Sequence, residues 1–180
     1  MIEVKIPFAP NGEICEAYTY AIKTSKSPWV ILLDHDAIFM HPNWYSLCVN
    51  AVKQFPEAGM FTCWASKIGA KEQQAEGSPI NVAPLAIHRD FARNLWQKHK
   101  FTVEEIFSHV SGVMMMIRKD VFLKVGCKKG FFGVDWDLTK RIREAGFKIY
   151  RINGLYVYHL RDREPSWIEN EKVSKDYKGA

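Results

Sequence analysis

The sequence predicts a single α/β domain whose mixed sheet is flanked by helices. Three observations carry this reading. The runs Trp29–Leu33, Gly59–Trp64 and Val113–Ile117 are strand-sized and apolar, the pattern of strands covered on both faces. Helical patterns lie between them, and strands alternating with helices build parallel or mixed sheets. A chain of 180 residues suits one domain with a substantial core.

The elements follow in order. Ile2–Phe8 alternates and stops among prolines, so it reads as a strand. Asn11-Gly12 is a turn. Glu13–Thr24 puts Ile14, Ala17, Tyr18, Ala21 and Ile22 on one helical face, and Ser27-Pro28 breaks that helix. After the strand Trp29–Leu33, a helix runs from Pro42-Asn43 to about Phe55, followed by the strand Gly59–Trp64. Residues 66–86 are rich in Gly, Ser, Pro, Gln and Glu and read as a long surface loop. Such a loop in a compact domain is usually functional or mobile. A helix over Asp90–His99, the strand Val113–Ile117 and a short helix over Lys119–Val125 come next, then a Gly/Phe-rich loop over Cys127–Val134. Asp135–Ala145 reads as a helix with Asp135 and Asp137 in its first turn, where the dipole favours anions. Gly146 ends it. Phe147–Ile152 and Leu155–His159 read as two short strands. Residues 1–160 thus form the domain, and 161–180 a polar tail with helical character over Trp167–Tyr177.

Composition narrows the functional classes. A 47% hydrophobic content is that of an ordinary globular domain. No apolar stretch is long enough to span a bilayer, and the N-terminus lacks a basic segment leading into an apolar run. The expectation is a cytoplasmic protein without an integral membrane segment. Cys15, Cys48, Cys63 and Cys127 are scattered, with no CxxC pair to make a zinc site. They are expected to be free and mostly buried thiols. The net charge of +5 is compatible with nucleic acid, an anionic membrane surface or a phosphorylated substrate. No nucleic-acid-binding motif is present, so no such partner is expected.

Three features carry chemistry. Asp34-His35-Asp36 follows the strand Trp29–Leu33, so two carboxylates emerge where a buried strand stops. Their repulsion calls for a cation or hydrogen bonds, and hard oxygen ligands suit Mg²⁺ or Mn²⁺ bridging to phosphate. The bland alternative is that Asp34 caps the turn and Asp36 faces water. In Gly130-Phe131-Phe132-Gly133-Val134-Asp135-Trp136-Asp137-Leu138, two glycines flank aromatics before a helix opens with carboxylates. Asp135 there can act as a general base on a hydroxyl, or serve only as a first-turn acid. In Tyr156-Val157-Tyr158-His159, a histidine ends a late strand and can complete a metal site. His41, His88, His99 and His109 read as satisfied or surface histidines.

Together these segments resemble family 2 glycosyltransferases and their GT-A relatives. The family pattern is an apolar strand ending in Asp-x-Asp, then a Gly-Phe-x-Gly-Glu-Asp-x-Asp-Leu segment followed by Arg and Ala-Gly-x-x-Ile, then a strand ending Val-x-His. Here the counterparts are Asp34–Asp36, Gly130–Leu138 with Arg141, Arg143 and Ala145–Ile149, and Val157–His159. Ser111-Gly112-Val113 to Arg118 resembles the strand before the acceptor-side loop. The match covers roughly residues 10–160.

The resemblance implies a compact, truncated GT-A (Rossmann-like) fold and metal-dependent transfer of a sugar from a nucleotide-diphosphate sugar to a glycan or other hydroxyl acceptor, with inversion. UDP is preferred to GDP as the donor nucleotide. It implies Asp34, Asp36 and His159 as ligands of Mn²⁺ or Mg²⁺, with Asp34 also near the ribose and diphosphate. Asp135 would be the catalytic base, while Asp137 supports the helix start. Asn11, Tyr18, Arg161 and Arg163 fall on the nucleotide side. Gly112 falls on the acceptor side, where Trp64 and Trp136 either stack on sugar or pack in the core.

Two departures from the family pattern stand out. Only 33 residues precede Asp34, so the front of the nucleotide-binding half is shortened, and Tyr18-Thr19 stand where the family often has Arg-Asn. The base is then either loosely held or held by another subunit of a homodimer. Val134 replaces the Glu that usually precedes the base. The alternative to an enzyme is a catalytically inactive module that binds nucleotide sugar or glycan.

Overall fold

The buried run Trp29–Leu33 is the second strand of a seven-stranded mixed sheet in the computed structural model, which describes residues 1–66, 68–79, 83–130 and 132–160. The strands are β1 (Ile2–Lys5), β2 (Trp29–Leu33), β3 (Ala37–Phe39), β4 (Met60–Ala65), β5 (Val103–Glu105), β6 (Met114–Arg118) and β7 (Ile149–His159). The helices are α1 (Ile14–Thr24), α2 (Trp44–Gln54), α3 (Leu85–His99), α4 (Lys119–Val125) and α5 (Val134–Glu144). The sheet order is β1-β2-β6-β4-β7-β3, with β5 also paired to β7. This is the α/β architecture that the alternating apolar runs predict.

Strand direction decides where a site can form. β1 and β2 are parallel, β6 is antiparallel to both β2 and β4, and β4 is parallel to β7. The carboxyl ends of β1, β2, β4 and β7 therefore share one edge of the sheet. In open α/β sheets, ligands bind beyond that edge.

Period-two alternation divides β2 between two cores. Trp29, Ile31 and Leu33 pack with Leu47, Cys48 and Ala51 of α2. Val30 and Leu32 pack with Tyr18 and Ile22 of α1, Phe122 of α4, and Leu138 and Ile142 of α5. Each such buried side chain contributes about 1.5–3 kcal/mol relative to exposure. α3 covers the far end of the sheet, where Ala92 packs with Tyr156 and Tyr158.

Several expectations are corrected. β1 ends at Lys5 rather than Phe8, and β3 and β5 are strands that the sequence reading did not anticipate. β7 is one eleven-residue strand, not two. Its Asn153-Gly154 reads as a turn, but the strand continues because the backbone of His99 and Lys100 closes over Gly154. A Cβ there would lie 3.0 Å from Lys100 Cα. The segment 66–86 is not simply a surface loop: Ile68, Ala70, Gln73 and Ala75 are buried, Lys71–Gln73 forms a 3₁₀ turn, and α3 starts at Leu85. Cys15 and Cys127 form a disulfide, against the expectation of four free thiols, while Cys48 and Cys63 are free and buried. The pairing spans 112 residues, and only the packing of α1 against the loop after α4 brings the two sulfurs together. The tail 161–180 lies outside the described residues. No described helix is long and apolar enough to cross a membrane.

Candidate active site

β2 ends at Leu33, and the Asp34 N–H continues the ladder by donating to Val113 O at 3.1 Å. The chain then turns, with Ala37 N–H donating to Asp34 O at 3.1 Å, and enters β3. Ala37 pairs with His159 at the end of β7, and Leu160 N–H donates to Asp36 O at 2.9 Å. The tight turn thus holds Asp34 and Asp36 against His159. His159 Nε2 lies 3.3 Å from Asp36 Oδ1 and 3.9 Å from Asp34 Oδ2. One ligand atom from each residue lies within 4.8 Å of the others. His159 is buried and the carboxylates are half-buried. Ser66, just past β4, anchors the histidine backbone: its Oγ accepts from His159 N–H at 2.9 Å.

Asp135 lies in the first turn of α5. Its Oδ2 accepts from Gly112 N–H and its Oδ1 from Trp136 N–H, each at 2.9 Å. Thr139, one turn on, donates to Asp135 O at 2.7 Å and accepts from Val110 N–H at 3.2 Å. The segment before β6 is therefore tied to α5 at Asp135 and again at Thr139. Tyr18 is buried, and its hydroxyl would lie 3.2 Å from a Cβ on Gly112. Burial first, then the charges of Asp34 and Asp135, push its phenol well above the ordinary range, so it stands here as a neutral hydroxyl.

Contacts among the described residues hold the Gly/Phe-rich loop. Cys127 bonds to Cys15, Gly130 N–H donates to Glu13 Oε2 at 2.9 Å, and Lys128 N–H donates to Asp137 Oδ2 at 2.8 Å. Asp137 also receives Arg141 Nε at 2.6 Å.

The remaining candidates distribute as follows. Asn11 Oδ1 accepts from Glu13 N–H ahead of α1, and the residue lines a cavity of about 680 Å³ with Ile6, Phe8 and Tyr20. Trp136 is 59% exposed, with His109 packed beside it. Trp64 packs toward α3: its indole N–H donates to Asn153 O, the Arg151 guanidinium lies 3.4 Å from its ring centroid, and it lines a separate cavity of about 530 Å³. His41 and His88 are buried against Trp96 and Tyr156. Arg161 and Arg163 lie outside the described residues. Sequence reasoning missed Ser66, Gln73 and Thr139, because single polar residues tens of positions from their partners leave no spacing signal.

Two carboxylates supply hard oxygen donors and the imidazole a borderline nitrogen within mutual reach, a set that fits a divalent cation such as Mn²⁺ or Mg²⁺. Fold and site together define an open-sheet α/β protein with a candidate cation cluster at the carboxyl edge of its strands. The family model for glycosyltransferase-like family 2 matches residues 9–175, and the chain belongs to that family. In fold, the chain is also similar to a solved structure described as the crystal structure of a mycobacterial protein. That similarity has a TM-score of 0.53 and 17% identity, and covers 90% of this chain and 48% of that one. This chain therefore spans about half the length of that neighbour. No curated protein matches it.

Proposed function

We propose that the protein transfers a sugar from a nucleotide-diphosphate sugar, UDP before GDP, to the hydroxyl of a glycan or other acceptor, with inversion. The observation that carries this is the gathering of Asp34, Asp36 and His159 at the strand ends. Asp34, Asp36 and His159 would hold Mn²⁺ or Mg²⁺, which supplies charge neutralisation for a leaving diphosphate. Asp135 takes the acceptor proton. Each of its oxygens accepts one backbone N–H, and a carboxylate oxygen has a second lone pair for that proton. Tyr18, kept neutral, offers a hydrogen bond without adding charge.

Asn11, Tyr18, Arg161 and Arg163 belong to the nucleotide side in this reading. Gly112, Trp136 and Trp64 belong to the acceptor side. A homodimer in which a second subunit holds the nucleobase is part of this reading. A cytoplasmic location has to accommodate the Cys15–Cys127 disulfide, since such bonds are rare in reducing compartments.

The test is product analysis with labelled UDP- and GDP-sugars and a panel of glycan acceptors, with Asp135→Asn alongside. Inverted product from wild type and none from the variant is the expected result. Nucleotide binding without turnover by wild type would favour the binding-module alternative.

A further inference from the structure

We propose that Gln73 is a positioning residue for Asp135, acting through the Ser111–Gly112 backbone; this rests on the reading of Asp135 as the base. Gln73 closes the 3₁₀ turn Lys71–Gln73 and is fully buried. Its Nε2 donates to Thr62 Oγ1 at 2.6 Å, and that hydroxyl donates onward to Met114 O at 2.9 Å. Its Oε1 accepts from Ser111 N–H at 2.7 Å. The amide can take only this orientation, because the reverse would set its NH₂ against the Ser111 donor. The next amide along, Gly112 N–H, is the one that holds Asp135 Oδ2.

The neighbouring contacts serve the same segment. Glu72 Oε2 accepts from the N–H groups of Phe107 and Ser108. Arg143 donates to Ser108 O at 2.7 Å and Ile106 O at 2.9 Å. Residues 106–112 are thus clamped between the 71–73 turn and α5, and Gln73 makes the clamp at Ser111, the one adjacent to Gly112. Its amide reads out as the angle at which Gly112 presents its N–H to the carboxylate.

Gln73→Met keeps length and apolar bulk but removes both hydrogen bonds. Gln73→Glu keeps an acceptor for Ser111. With the nucleotide sugar that wild type turns over, Gln73→Met is expected to lose about tenfold in kcat with donor KM unchanged. Amide exchange at Gly112 should quicken in Gln73→Met, and Gln73→Glu should recover most of kcat. Unchanged kcat in Gln73→Met would overturn the proposal. So would a fall in kcat matched by a rise in KM and a broadened melt, which marks a merely structural residue. A wild type that transfers no sugar contradicts the transfer reading instead. Gly112 exchange in Gln73→Met then still decides whether Gln73 positions this backbone.

Discussion

Gly112 N–H and Asp135 Oδ2 lie 2.9 Å apart, joining the segment before β6 to the first turn of α5. Glycine leaves this contact room beside Tyr18. A Cβ on Gly112 would lie 3.2 Å from the Tyr18 hydroxyl, 3.6 Å from Asp135 Cβ and 3.7 Å from Asp135 Oδ2.

Gly112→Ala should therefore fold with the Tyr18 hydroxyl displaced by a few tenths of an ångström and Asp135 left in ordinary contact. Overpacking at one such contact costs about 1 kcal/mol, and a shift this small beside Asp135 should lower kcat by well under the about hundredfold that a 1 Å misplacement costs. Melting curves and steady-state kinetics on one preparation check both effects.

Reduction should destabilise the protein by about 2–4 kcal/mol, because the Cys15–Cys127 bond closes a loop of over a hundred residues. Burial pushes the Cys48 thiol up to about 12 and also holds the Cys63 thiol well above the ordinary thiol range. Thiol titration of native protein should thus find no rapidly reacting cysteine. Two should react in denaturant, and four after reduction in denaturant.

Glu3 gives a pH-dependent prediction. Burial alone would raise its carboxyl, but hydrogen bonds led by Lys5 and including the Lys26 N–H outweigh that and hold it at about 2, against an ordinary 4.5. A lowered folded-state value stabilises above 4.5, and that contribution fades as pH falls toward 2. Glu3→Gln should melt below wild type at pH 7, and the gap should close between about pH 4.5 and pH 2.

His159→Ala should weaken Mn²⁺ binding by at least about tenfold, by removing one of three donors. Paramagnetic resonance of free Mn²⁺ in a titration measures this without any need for turnover.

How much of this was legible in the sequence depends on how local each cause is. β2 was legible because all five of its residues are buried, which leaves a continuous apolar run. Asp34 and Asp36 were legible because they follow that run directly. β3 was not, since its three residues are only partly covered and borrow their pairing from β7. Asn153-Gly154 gave a turn signal that packing against His99 and Lys100 overrode. Gln73 hid in a polar stretch because its partners, Thr62 and Ser111, lie 11 and 38 residues away. The Cys15–Cys127 pairing was illegible for the same reason.

The most direct measurement is a calorimetric titration of UDP, GDP, dTDP, CDP and ADP into the protein, with Mn²⁺ and then with EDTA, alongside Asp36→Ala. The account predicts that one diphosphate, UDP foremost, binds in Mn²⁺, and that binding is lost in EDTA and in the variant. Failure of folded wild type to bind any diphosphate, or binding that survives both EDTA and Asp36→Ala, would contradict it.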